Sequence, residues 1–466
     1  SCYPEIGHHY RIFHALKWIG LVVGCLAKFV TGTLYVFNVY QDDIKETFNY
    51  TQKEVELQSS LINLGLGFGF LPGLFYDRFG PTWASFLGVL VSMTAYTLLW
   101  STSKDPLFYS NKSWLSGIYF FLAGFGSVFT YMVALNTNII NFDAKHRSKI
   151  VGLLNAFFAG SPSIFSIIYY QAIQTNDSTE SFGTFMLMFA ICFVVTDIIC
   201  MLFLRLYTPP RSESTEYLPD LDGSERHKEM SDLSTHKDAI CCSQGETNLK
   251  EHLPIRKLFQ RIDYWLFLGL FSFSSLVGLV FLNNLTVITK SNGLSSHDQE
   301  IVLIIPITNA LVSAGTGLIS DLLKERVPRV FLLVVACACF TGCAAIGMIW
   351  GDSYIILCIA TFLSGTGIGI LWTLCPTVVS EMLYVGDIGR NWGIALLIGS
   401  VLGWAMQEAF GVLYDHQTPS GQINCTTGMN CVRTGLLLLV ISGAISIACG
   451  IALLLKRYIR KCCKCC

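Results

Sequence analysis

Two sets of six apolar stretches, separated by a polar interval, dominate the 466 residues of this chain. The stretches fall near 17–40, 57–76, 82–101, 114–140, 148–173 and 183–206. They resume near 263–289, 299–321, 329–350, 354–382, 390–414 and 433–456. A bilayer core about 30 Å thick needs about 20 apolar residues per helix, and each run meets that length. Only 14% of residues are charged, against roughly 25% in soluble domains. Mean hydropathy is +0.53. The expected fold is an all-α membrane protein with twelve transmembrane helices in two six-helix, pseudo-symmetric halves. The halves are expected at 1–206 and 262–458. The interval 207–261, polar, mixed in charge and poor in aromatics, has the composition of a disordered cytosolic linker. Residues 459–466 form a Cys-rich tail. A net charge of −1 leaves no basic field for nucleic acid.

Lys and Arg in short loops set the orientation. With the N-terminus inside, the inner loops hold Arg78, Lys145, Arg147, Lys149, Lys324, Arg326, Arg329 and Arg390. Four glycosylation sequons, at Asn49, Asn111, Asn176 and Asn424, all fall in loops assigned outside. Asn284 also opens a sequon but lies within a span.

The two halves repeat one another at an offset of 241–246 residues. Gly32, Tyr35 and Asn38 are spaced as Gly278, Phe281 and Asn284 are. GLFYD closes span 2 and GLISD closes span 8. GFGSVFTY in span 4 corresponds to GTGIGILW in span 10, and Arg147 to Arg390. Such weak internal symmetry marks transporters built of two repeats, with the substrate at the midplane between them.

The stretch GLFYDRFGP (73–81) resembles the loop between helices 2 and 3 of the major facilitator superfamily, Gly-x-x-x-Asp-Arg-x-Gly. The resemblance implies a conformational latch made of Gly73, Asp77, Arg78 and Gly80. In the second copy Asp321 is kept without the adjacent Arg, which implies a weaker latch. GTLYVFNVYQDDIKETFNYTQKEV (32–55), NTNIINFDAKHRSKIVGLLNAFFAGSPSIFSIIY (136–169) and FGVLYD (410–415) resemble the nodulin-like branch, near the monocarboxylate and oxalate/formate carriers. That implies the twelve-helix fold and facilitated or ion-coupled transport, and it names no substrate. Anion carriers in this neighbourhood often place a basic residue in helix 11. Here Glu408 is in that helix and the basic residue, Lys28, is in helix 1.

Lys28 stands about eleven residues from either end of WIGLVVGCLAKFVTGTLYVFN (18–38). A central Lys costs about 2.5–3.5 kcal/mol on insertion scales. Its helical face carries Gly24, Thr31, Gly32 and Tyr35, small or polar residues that point inward. It is read as an anion-binding group, a counter-charge exchanging partners between states, or one member of a structural ion pair. Glu408 is the acid to test against it. Counting residues puts Glu408 about 9 Å nearer the outer end, so the two either meet through tilt or line one cavity apart. A cavity Glu is also the usual proton-coupling residue. Asp197 in span 6 reads as structural or interfacial. The resemblance implies a cavity lined by helices 1, 4, 5, 7, 10 and 11, which selects Tyr35, Asn38, Tyr131, Asn155, Asn284, Trp372 and Gln407, with interhelical glue the competing role for each.

Cys425 and Cys431 flank a short turn in the last outer loop, an oxidising location where a disulfide is expected. Cys462, Cys463, Cys465 and Cys466 beside basic residues suit S-palmitoylation. No metal site, cofactor motif, nucleophile elbow or phosphate loop is present in the sequence, so no enzyme is expected. The expected function is a secondary transporter of a small organic solute by alternating access, monocarboxylate-like and open to proton coupling. An amino acid or cationic metabolite as substrate, or a non-transporting receptor or scaffold, is the alternative. The expected partners are a small-molecule substrate, protons and lipid, with the protein a monomer, in the plasma membrane ahead of an endolysosomal one.

Overall fold

A computed structural model describes residues 3–207, 253–417, 425 and 428–465. Most of the linker expected at 207–261, the sequon Asn424 and the tail residue Cys466 lie outside the described residues.

Every long element is a helix, as the apolar runs require. Eleven candidate spans emerge by length and hydropathy, and Lys53–Thr102 alone is 50 residues long. At 1.5 Å per residue a straight helix of that length would reach about 75 Å, far beyond any bilayer core. The chain turns within it at Gly80, whose φ of 81° and ψ of 178° break the helix Phe70–Thr102. That region of backbone space is open to glycine and closed to other residues. Pro81 follows, its missing N–H falling where a first helical turn has no use for one. Spans 2 and 3 are therefore two crossings, and the described chain makes twelve.

Span 1 is not one straight helix. Tyr3–Thr31 passes through a 3₁₀ turn, Gly32–Val36, into Phe37–Phe48. The break has a local cause. Thr31 and Thr33 donate their hydroxyls back to the Ala27 and Val30 carbonyls, at 2.5 and 2.7 Å, which loosens the regular ladder. Gly32 there lies directly against the Phe158 carbonyl and Ser161 of span 5 (Arg147–Ile168), with no room for a Cβ. Span 7 breaks near the equivalent position of the repeat. Ile262–Asn283 ends and Leu285–Ser291 resumes at Asn284.

The remaining crossings are span 4 (Ser113–Asn141), span 6 (Ser178–Phe203), span 8 (Asp298–Leu323), span 9 (Arg329–Trp350), span 10 (Tyr354–Met382), span 11 (Ile388–Gln417) and span 12 (Arg433–Cys465). Asn49, Asn111 and Asn176 are exposed, and the loops that carry them meet at one end of the bundle. The Tyr50 hydroxyl donates to the Tyr109 carbonyl at 2.8 Å and contacts the Ser116 hydroxyl at 3.1 Å. The Ser178 hydroxyl donates to the Glu46 carboxylate. Cys425 and Cys431 are bonded in the structure, with Cα atoms 5.9 Å apart.

Candidate functional site

The two halves meet through glycine. Gly73 of span 2 and Gly389 of span 11 touch backbone to backbone, as do Gly69 and Gly393, while Gly67 sits on Ser400. On the other side of the pseudo-twofold, Gly152 of span 5 lies against Gly317 and the Ser313 carbonyl of span 8. Helix backbones can approach this closely only where side chains are absent.

On each side, one of these contacts is locked by an aspartate that reaches across to the opposite half. Asp77 accepts hydrogen bonds from the backbone N–H groups of Gly389 (3.0 Å) and Arg390 (2.6 Å). Asp321 accepts from the Lys149 N–H at 2.9 Å. Both carboxylates thus cap the first turn of the helix opposite, where four N–H groups are otherwise unsatisfied and the dipole is positive.

The second copy, expected to latch more weakly, takes one N–H across the halves where Asp77 takes two, and it is braced within its own half. Asp321 also pairs with Arg329, which in turn holds Glu381, and Lys324 reaches Glu381 at 3.3 Å. The charge absent beside Asp321 in sequence arrives from the start of span 9. Arg78, by contrast, is exposed and stacks near Phe79 at 5.5 Å rather than joining the latch. Arg390 pairs with Asp387 at 3.1 Å and donates to the Leu253 carbonyl at 2.9 Å.

These locks carry a prediction. Asp77→Ala removes two caps, each worth about 0.5–2 kcal/mol. Asp321→Ala removes one cap and also strips a carboxylate from buried Arg329, so it is the more damaging change. Hydrogen exchange should quicken at Gly389 and Arg390 in the first variant and at Lys149 in the second. Unchanged exchange at those amides would show that the caps do not hold the halves.

All these contacts lie at the end carrying the inner loops. Farther out on the same face of span 11, Trp404 and Glu408 are exposed. The contacts between spans 2 and 11 thus gather at the end assigned inside, and Trp404 and Glu408 lie uncovered nearer the other end.

Lys28 lies just above this seal. It is 1% exposed, and no carboxylate of a described residue pairs with it. Its Nζ rests over the Tyr131 ring at 3.0 Å from the centroid, with Phe158 at 5.6 Å. Tyr35 and Tyr131 each meet Phe158 edge-on, at 5.6 and 5.9 Å, closing an aromatic box. A desolvated cation–π contact is worth about 2 kcal/mol, close to the insertion cost of a buried Lys.

The depth of Glu408 differs from the residue count. Gly24 packs on Asn138 and Gly389 lies against Asn136, two neighbouring levels of span 4. Lys28 is about one turn outward of the first, and Glu408 about five turns outward of the second, so they are roughly 20 Å apart in depth. The count took both apolar runs to begin at one level. Span 11 begins farther out, where Asp77 holds its first turn.

The other candidates divide between the halves and their junction. Asn155 donates to Ser313 at 2.7 Å and approaches Asn309 at 3.5 Å, bridging spans 5 and 8. Asn284 donates to Gln407 at 3.0 Å within the second half. Asn38 is exposed in the outer part of span 1. Trp372 packs edge-on to Phe271 and Trp392, at 5.8 and 6.0 Å. Asp197 is fully buried between spans 3, 4 and 6, against Gly88 and accepting from Thr130 at 3.0 Å. The sequence reading did not single out Arg329, Glu381, Phe158 or Trp392.

The family model of the Major Facilitator Superfamily matches residues 19–407. A protein of Debaryomyces hansenii described as "Probable transporter MCH1" is 22% identical over 431 residues, covering 84% of this chain and 85% of that protein. Among solved structures, the proton:xylose symporter XylE superposes with a TM-score of 0.70 at 13% identity, covering 94% and 95% of the two chains. FucP in its outward conformation superposes at 0.60 and 12% identity, covering 92% and 99%. The protein belongs to the major facilitator superfamily: it is a multi-pass membrane transporter of a small solute, and not an enzyme.

Proposed function

We propose that the protein carries a small, monocarboxylate-like organic anion by alternating access, with Lys28 as the anion-binding group. One observation carries this reading. Lys28 is buried against Tyr131 and Phe158 of the first half, and no carboxylate among the described residues pairs with it. A positive charge placed so has its electrostatic attraction available to a ligand. Tyr35, Tyr131, Asn155 and Trp372 are proposed to border the path, with Asn38, Asn284 and Gln407 farther out.

Proton coupling is proposed at Glu408. It is exposed in the later part of span 11, away from the glycine contacts with span 2. Closure of the outer ends would seal that face, and a carboxylate sealed in the membrane is stable only when paired or neutralised by a proton. We also assign the chain to the nodulin-like branch, as a monomer in the plasma membrane. Sugars are proposed on Asn49, Asn111, Asn176 and Asn424, and palmitoyl chains on Cys462, Cys463, Cys465 and Cys466.

Proteoliposome uptake tests the reading. The panel comprises monocarboxylates, dicarboxylates, amino acids and amines, each with and without an acid outer solution. Monocarboxylate uptake is expected to lead and to rise with outside acid. In Glu408→Gln the pH response should vanish while carboxylate exchange persists. Uptake confined to amines or amino acids would overturn the anion assignment.

A further inference from the structure

The indole of Trp392 is fully buried, and its Nε1–H has no hydrogen-bond acceptor. Native proteins leave few buried donors in that state, because the lost solvation is not repaid. The ring itself is well held. It packs on Phe271 with centroids 4.9 Å apart and edge-on to Trp372. That clamp turns the N–H edge toward Tyr131 in the opposite half, close but without the geometry of a hydrogen bond. Tyr131 also carries the Lys28 ammonium on its ring face at 3.0 Å. An ammonium from one half and an indole N–H from the other therefore flank a single tyrosine; no carboxylate among the described residues pairs with the first, and the second has only an ill-aligned approach to the Tyr131 hydroxyl.

We propose that Trp392 is a specificity-determining residue whose indole N–H binds the second oxygen of the carboxylate held by Lys28. The proposal rests on the reading of Lys28 as an anion site. A carboxylate offers two oxygens and about four lone-pair sites, so it accepts from both donors at once. The ammonium supplies undirected charge and the indole a single directed donor. Together they fix the orientation of the anion and join the halves through it. One positive charge suits a monoanion better than a dianion. The walls of Phe158, Phe271 and Trp372 favour an apolar or aromatic body over a hydroxylated one. The Tyr131 ring face holds the ammonium in this structure, and the anion binds by drawing the ammonium off that ring.

Binding of benzoate and of benzamide, its uncharged isostere, to the purified full-length protein tests this. Trp392→Phe keeps the stacked ring and removes only the N–H. Benzoate affinity should fall about tenfold with thermal stability unchanged, and benzamide, whose carbonyl accepts the same N–H without charge assistance, should lose clearly less. A merely structural role would weaken both ligands together, and equal benzoate affinity in the two proteins overturns the proposal. Should Trp392→Phe not fold, the nine Trp of the wild type give a second measurement. One indole N–H resonance should move downfield on adding benzoate, and nine unmoved resonances overturn the proposal. Benzoate binding lost in Lys28→Gln but kept in Trp392→Phe sinks the Trp392 assignment alone. A wild type that binds none of acetate, pyruvate and benzoate sinks both.

Discussion

Lys28→Ala is expected to fold, reach its membrane and lose organic-anion uptake. Its survival follows from the surroundings of the ammonium. Truncating one partner of a buried ion pair costs about 3–5 kcal/mol, because the other charge is stranded. No described carboxylate pairs with Lys28, so nothing is stranded. The variant gives up a cation–π contact of about 2 kcal/mol and also the cost of burying the charge. Its transport should not survive. Losing a hydrogen bond to a charged group costs about 1.5–3 kcal/mol, or about 10- to 150-fold in uptake below saturation. Lys28→Arg should retain part of the activity with altered selectivity, since a planar fork can stack on Tyr131 but presents its donors in a fixed plane where the compact ammonium turns freely. Radiolabelled uptake beside surface abundance decides the matter. A normally abundant, fully active Lys28→Ala protein would remove Lys28 from the mechanism.

Gly389→Val should be nearly as disabling, for the opposite reason. A Cβ at Gly389 would lie 2.5 Å from the Gly73 carbonyl oxygen and 2.6 Å from an Asp77 oxygen. The first neighbour is backbone and cannot swing away, and the second yields only by giving up its hydrogen bonds to the Gly389 and Arg390 N–H groups. Overpacking of this kind costs about 1–3 kcal/mol, and it falls only on conformations in which the cytosolic ends meet. The balance between states should shift by about 5- to 150-fold toward a cytosolic gap. A cysteine placed at Ser400, which Gly67 now covers, should then react with a thiol reagent applied from the cytosolic side. Uptake should fall by a similar factor. Wild-type transport in Gly389→Val would show that this contact does not form during the cycle.

The fold was legible because lipid leaves so little choice. Runs of about 20 apolar residues can only be spans, and Gly73-x-x-x-Asp77 in one half with Gly317-x-x-x-Asp321 in the other exposed the repeat. Helical spacing also placed Lys28 on an inward face correctly. What spacing cannot carry is contact between distant segments. Phe158 reads as one more apolar residue of span 5, and nothing local says its ring faces an ammonium. Arg329 looks like an ordinary inner-loop charge until span 9 brings it onto Asp321. Trp392 sits two residues after Arg390, and nothing local in the sequence marks it. Its unpaired N–H is a property of its neighbours. The depth of Glu408 was misjudged for a related reason. Residue counts measure position along a helix, and the level at which a helix enters is set by what grips its first turn.

The bonds among the first three outer loops have a practical consequence. Tyr50, Tyr109 and Ser116 tie the first loop to the second, and Glu46 with Ser178 ties it to the third. This rim is one mechanical unit and one epitope. An antibody fragment raised against it will ride with the first half through the whole cycle and leave turnover untouched. Arresting the transporter from outside takes a binder long enough to reach from this rim to the loop stapled by Cys425 and Cys431.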